Sequence, residues 1–146
     1  MMRKTGFTLK ELLFVAVIFM AVIMLLMPFV RMARDRSCRI HCEQNLRNIR
    51  LALGAYAAEH GEEFPKELKE LYPNYVTDQA VFDCPASKIA GTSDQPDYIY
   101  TAGLKALSSA KSVIVEDADG NHGKSGKNLL RVDGSIDWIT QGAIRQ

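Results

Sequence analysis

The sequence predicts an α+β chain: a long N-terminal helix, transmembrane and then amphipathic, whose outer half packs against a small antiparallel β-sheet. Three observations lead there. The nineteen residues from Leu12 to Val30 carry no polar or charged side chain; at about 1.5 Å of rise per residue they make roughly 28 Å of helix, close to the apolar thickness of a bilayer. After Val30 the apolar residues Leu46, Ile49, Leu53 and Tyr56 recur at helical spacing. Further on, short β-branched and aromatic runs separated by Gly, Pro and Asp read as strands.

Met1 to Gly6 is a polar leader carrying Arg3 and Lys4, too short to fold. A cleaved secretory signal fits the next stretch poorly, because such signals have an apolar region of about 7–15 residues before small residues. Here Met27, Pro28 and Phe29 close the run. A helix buried in a globular core would keep a polar stripe. A membrane helix is therefore expected. Glu11 lies at its edge, and an ionisable group at the centre of a membrane helix costs about 2.5–3.5 kcal/mol. It either has a partner and a role or marks a helix end in the interface. No turn signal follows Val30, so one helix is expected from about Thr8 to Glu59, stopped by His60-Gly61. Pro28 removes a backbone hydrogen bond inside it.

Pro65 opens a short helix through Lys66–Leu71, and Pro73 ends it. Tyr75 to Gln95 is expected to be mostly irregular, anchored by Val81-Phe82, with Asp83 to Pro96 as a surface loop. Strands are expected at Tyr98–Thr101, at Ser112–Glu116, and over Asn128–Ile139 folded back at Asp133-Gly134. A two-residue turn there pairs Leu129 with Trp138 and Arg131 with Ile136. Leu129, Ile136 and Trp138 then share the face that covers the helix, with Arg131 as a misfit. The expected organisation is a leader (1–6), a transmembrane half-helix (7–30), an amphipathic half-helix (31–61) and a small α+β domain (62–146).

The net charge of +1 gives no electrostatic argument for a nucleic-acid partner, and none is expected. Three cysteines allow one bridge within the chain and leave one thiol. Arg3, Lys4 and Lys10 precede the apolar run while Arg31, Arg34, Arg36 and Arg39 follow it, so charge alone leaves the membrane orientation open.

Gly6-Phe7-Thr8-Leu9-Lys10-Glu11-Leu12-Leu13 resembles the cleavage and methylation box of type IV prepilins and type II secretion pseudopilins. The resemblance implies cutting by prepilin peptidase between Gly6 and Phe7, N-methylation of Phe7, and Glu11 as the fifth mature residue. Glu11 would pair with the amino terminus of a neighbouring subunit, and Pro28 would weaken the helix. Lys10 departs from the family, where an apolar residue usually precedes the glutamate. The implied fold is pilin-like, with a cytoplasmic amino terminus, an inner-membrane helix and an outward-facing C-terminal domain in the periplasm or on an extracellular filament. The implied partners are further copies of itself, related subunits and the peptidase. A membrane-anchored periplasmic module that binds an ion or glycan without polymerising is the alternative.

Cys42 with Gln44-Asn45-Leu46-Arg47, then Phe82-Asp83-Cys84-Pro85, then His122 ahead of Asp133-Gly134, resembles a group of prepilin-type proteins with a C-terminal histidine, spacer and Asp-Gly. That spacer is usually nine residues; here it is ten.

Cys42 and Cys84 are either bridged, closing a loop worth roughly 4 kcal/mol by chain entropy, or two buried thiols. Cys38, one helical turn before Cys42, competes for the same partner. A zinc site of Cys38, His41 and Cys42 is disfavoured, because His41 points to another face. Asp117, Asp119 and Asn121 alternate oxygen ligands as the start of a calcium loop does. The pattern then departs, with His122 where Gly belongs and Asn128 where Glu belongs, and a solvated turn between strands is the plainer reading. Major pseudopilins bind calcium in a late loop, so the resemblance keeps calcium as the one cofactor to consider. Ser108, Ser109, Lys111, His122 and Asp133 have neither a nucleophile elbow nor a phosphate loop around them, so no enzyme is expected.

Overall fold

The computed structural model describes residues 8–123 and 125–140, so the expected cleavage between Gly6 and Phe7 lies outside the described residues. The chain divides into two compact units, Met1–Arg34 and Asp35–Gln146.

Helix α1 (Leu9–Glu59) begins in the first unit. Thr8 opens it with a capping box. The Thr8 backbone N–H and hydroxyl both donate to Glu11 Oε2 at 2.9 Å, and the Glu11 N–H donates back to Thr8 Oγ1. Two backbone donors that a helix start leaves unpaired are thereby satisfied. Every described residue of this unit is exposed. The apolar window has a mean hydropathy of 3.0 and none of it is buried, so one helix is long and apolar enough to cross a membrane. Pro28 sits inside α1 without ending it.

In the second unit α1 becomes one-sided. Cys38, Cys42, Leu46, Ile49, Ala52, Leu53 and Ala57 are buried along one stripe. The helix stops where Gly61 and Glu62 take positive φ of 64° and 65°. The expected Lys66–Leu71 helix is a 3-10 turn at Leu68–Leu71, held by a Glu67/Glu70 capping box that drops Leu68 and Leu71 into the core. A second 3-10 turn, Gln79–Phe82, seats Phe82 with no exposed surface. The loop after it is less superficial than its composition suggests: Cys84, Gly91 and Ser93 are buried.

Strands β1 (Tyr98–Tyr100), β2 (Val113–Asp117), β3 (Lys127–Arg131) and β4 (Ile136–Ile139) form an antiparallel sheet in sequential order. The hairpin register differs from expectation by one residue: Asn128 pairs with Trp138, Leu129 with Asp137, and Leu130 with Ile136. The turn holds three residues, Val132, Asp133 and Gly134, closed by Arg131 N–H to Ser135 O, with Gly134 at φ 83°. A one-residue change flips every side chain to the other face. Asn128, Leu130, Ile136 and Trp138 therefore share a face, joined by Val115 and Tyr100 through the register of β2 and β1. Leu129 lies on the opposite face. Arg131 ceases to be a misfit, because its Nε donates to Asp137 Oδ2 at 2.7 Å.

The core joins Cys42, Leu46, Ile49 and Leu53 of α1 to Phe82, Ile114, Val115 and Leu130. The Arg39 guanidinium lies 4.3 Å from the centre of the Trp138 ring, a cation–π contact between helix and sheet.

Candidate functional site

One cluster of chemically capable side chains is buried between the α1 stripe and the sheet. Cys42 enters from α1, Cys84 from the loop after Phe82, Asp117 from the end of β2, and His122 from the β2–β3 turn. The Cys42 thiol donates to Cys84 Sγ at 2.8 Å. His122 Nε2 lies 3.7 Å from Cys84 Sγ and 3.2 Å from Asp117 Oδ2. The ligand atoms of Cys42, Cys84 and His122 all fall within 4.8 Å of one another. Cys42 and Asp117 have no exposed surface, Cys84 has 1%, and the His122 side chain 4%.

Each group is fixed by neighbours. Asp97 braces the Cys84 loop against the β2–β3 turn: its carboxylate accepts Cys84 N–H at 3.0 Å, and its carbonyl accepts Ala118 N–H and Asn121 Nδ2. Asn45 Nδ2, one residue beyond Glu43-Gln44 on α1, donates to Asp83 O at 2.7 Å and so ties that loop to the helix. Asp117 Oδ2 accepts both Asn128 N–H at 2.7 Å and Asn128 Nδ2 at 2.8 Å. Its second oxygen, Oδ1, is buried and finds no hydrogen-bond partner among the described residues. Trp138 meets the His122 ring edge-on at 5.5 Å.

These contacts set the proton affinities. The thiol proton shared by Cys42 pulls Cys84 down to about 6, against the effect of burial and with help from His122. The same contact, with burial, drives Cys42 far up. Burial alone would lower His122; the hydrogen bonds to Asp117 and Cys84 outweigh it and raise the imidazole to about 9. The arrangement favours the protonated imidazole and, of the two sulfurs, loss of the proton from Cys84. No catalytic relay follows from it. A relay needs one imidazole nitrogen on the nucleophile and the other on the acid, whereas Nε2 alone faces both Cys84 and Asp117.

The sequence-derived sites fare unevenly. Cys42 and Cys84 come together; Cys38, though buried, is outside the cluster of ligand atoms. The calcium triplet does not converge. β2 ends at Asp117 and Gly120 turns the chain at φ 91°, so the alternation has no strand to act on. Asp117 points inward, Asp119 is 90% exposed beside Lys127, and Asn121 offers its amide nitrogen to Asp97 O. His122 and Asp133-Gly134 sit at opposite ends of β3: the first at the sulfurs, the second at the hairpin turn near Arg50. The sequence reading missed Asp117 as a partner of His122, and Asn128 and Asp97 as braces. The buried Asp at a strand end followed by Asn-His was the available signal.

No family model, curated protein or solved structure matches the chain.

Proposed function

We propose that the chain is a structural subunit of a pilin-like or pseudopilin-like filament, of the type II secretion or type IV pilus kind. In this reading prepilin peptidase cuts between Gly6 and Phe7 and Phe7 is methylated. The helix anchors the subunit in the inner membrane until its apolar half packs against other copies, and the second unit faces the periplasm or the filament surface. The observation that supports it most is the wholly exposed apolar half of α1, beginning one residue after Glu11. Such a surface calls for lipid or further copies of itself. At the mature terminus, a Phe7 amine would supply the positive charge that a carboxylate near membrane depth requires. The capping box holds Glu11 in the first turn, and its partner in this reading is the amine of a neighbouring copy.

The test is mass spectrometry of the amino terminus from cells with an active leader peptidase, paired with crosslinking in intact membranes. A terminus at N-methylated Phe7 and a ladder of crosslinked copies, lost in Glu11→Ala with insertion unchanged, is the expected result. A protein still beginning at Met1, or an undiminished ladder in Glu11→Ala, overturns the reading. A second reading, an anchored module that holds an ion without polymerising, draws on the Cys42–Cys84–His122 cluster and predicts a monomer in the same membranes.

A further inference from the structure

We propose that Cys42, Cys84, His122 and Asp117 form a binding site for a single zinc ion, tetrahedral and buried. Two thiolates, an imidazole and a carboxylate are the donor set that a thiophilic, four-coordinate divalent cation takes. The ligand atoms of Cys42, Cys84 and His122 lie within 4.8 Å of one another, and Asp117 Oδ2 lies 3.2 Å from His122 Nε2, all with little or no solvent exposure, so binding would clamp helix, loop and sheet together.

The geometry can be tested against zinc. With Zn–S near 2.3 Å and Zn–N or Zn–O near 2.0–2.1 Å, tetrahedral ligand atoms lie roughly 3.3–3.8 Å apart. Cys84 Sγ to His122 Nε2, at 3.7 Å, and His122 Nε2 to Asp117 Oδ2, at 3.2 Å, are already close to that spacing. The sulfurs, 2.8 Å apart, must open by about 1 Å and the Asp117 carboxylate must draw in toward them, which rotation about side-chain bonds supplies. A disulfide would instead close them by about 0.8 Å, using two of the four groups. It would leave His122 Nε2 and the Asp117 carboxylate outside the bond. Zinc employs every member of the cluster and gives that carboxylate a cation. The supporting groups are in place: Asn128 fixes the carboxylate through two donors, and Trp138 packs on the imidazole edge. Binding is Zn²⁺ exchanging for two protons of the cluster, with no change of oxidation state.

The full chain is purified in detergent without chelator or added thiol, and its mass is read under native and denaturing conditions. One zinc per chain is expected, seen as the metal's mass less two protons. Chelation should then release two thiols to a thiol reagent. A protein lighter by two hydrogens, with Cys42 and Cys84 in one crosslinked peptide and no metal, overturns the proposal. Protein that arrives metal-free and reduced is titrated with zinc alone: a dissociation constant in the nanomolar range or tighter is expected, and no binding at micromolar zinc overturns it. Cobalt in place of zinc should give thiolate-to-metal charge-transfer absorption and intense visible bands, whereas a weak octahedral spectrum overturns four-coordination. His122→Gln and Asp117→Asn should each weaken zinc at least tenfold while Cys38→Ser leaves it unchanged. Equal affinity in all three variants rejects the assignment, and the cobalt spectrum of the unaltered chain stands even where a variant does not fold.

Discussion

Gly91 shows how a single position can be decided by backbone proximity. Its N–H donates to Asp83 Oδ1 at 2.8 Å, and a Cβ there would lie 2.3 Å from Phe82 O and 3.0 Å from both Asp83 Cα and Asp97 N. Those are main-chain atoms, two of them in the segment that carries Cys84 and one just ahead of β1, so they cannot move aside cheaply. Gly91→Ala should cost about 1–3 kcal/mol as an overpacked site. Gly54 is the contrast. It lies within α1 with nothing inside 4 Å of an added Cβ, so Gly54→Ala should gain about 0.5–1 kcal/mol from helix propensity. Urea midpoints with unchanged slopes would read both values, and equal shifts of the same sign would refute the packing argument. Neither glycine was distinguishable in the sequence. The composition of residues 83–96 reads as surface because Pro, Ser, Gly and Asp favour turns; that Gly91 lies under the Phe82 carbonyl is a property of the closed loop. Cys42 and Cys84 were legible as a pair. His122 stood in the same resemblance, but its approach to Cys84, 38 residues away in the chain, leaves no local pattern.

Among the elements, legibility followed the range of the interactions that form them. Helix α1 was readable to within a residue at each end, since the 3.6-residue period, the apolar run and the stop at Gly61 are all local. Asp133-Gly134 correctly marked a hairpin, yet the length of its loop did not follow from the dipeptide. With three loop residues, Gly134 takes the left-handed position and Leu130 replaces Leu129 on the covered face. Both leucines are buried, so hydrophobicity could not choose between the registers. Asp133 stabilises this turn. Its Oδ1 accepts the Ser135 N–H at 2.8 Å and hydroxyl at 2.6 Å, and these bonds hold its carboxyl below the ordinary value. A folded-state value below the unfolded one contributes stability that is present above the unfolded pKa and lost as pH falls through the folded value. Asp133→Ala should therefore melt lower than the parent at pH 7, with the gap closing below about pH 4. Thermal melts at pH 7 and pH 3 check this: a gap that persists at pH 3 would assign the aspartate's effect to backbone propensity alone.

At the scale of the whole chain, the two units differ in what they bury. From Thr8 to Arg34 no described side chain is buried, so this half of α1 contributes nothing to the folded core and exposes Leu, Ile, Val, Met and Phe along its length. In water such a surface drives aggregation; in lipid it costs little, and its helical backbone is satisfied internally. The second unit has a complete core of its own. Among the described residues every buried one lies between Cys38 and Leu130, and the sheet, the two 3-10 turns and the thiol–imidazole cluster all fall within residues 35–146. Cutting between Arg34 and Asp35 removes roughly seven turns of α1, none of whose described side chains is buried, and leaves less than one turn ahead of Cys38, so what frays is an exposed helix end. A chain of residues 35–146 should thus remain soluble without detergent and melt in one cooperative transition, while the full chain should require detergent. Near-ultraviolet circular dichroism would report whether Trp138 keeps its packed environment against Arg39 and His122. A trimmed chain that aggregates, or that retains helix signal without a fixed Trp138 environment, would mean that the exposed half of α1 is needed for folding, and the division of labour between membrane rod and independent domain would have to be abandoned.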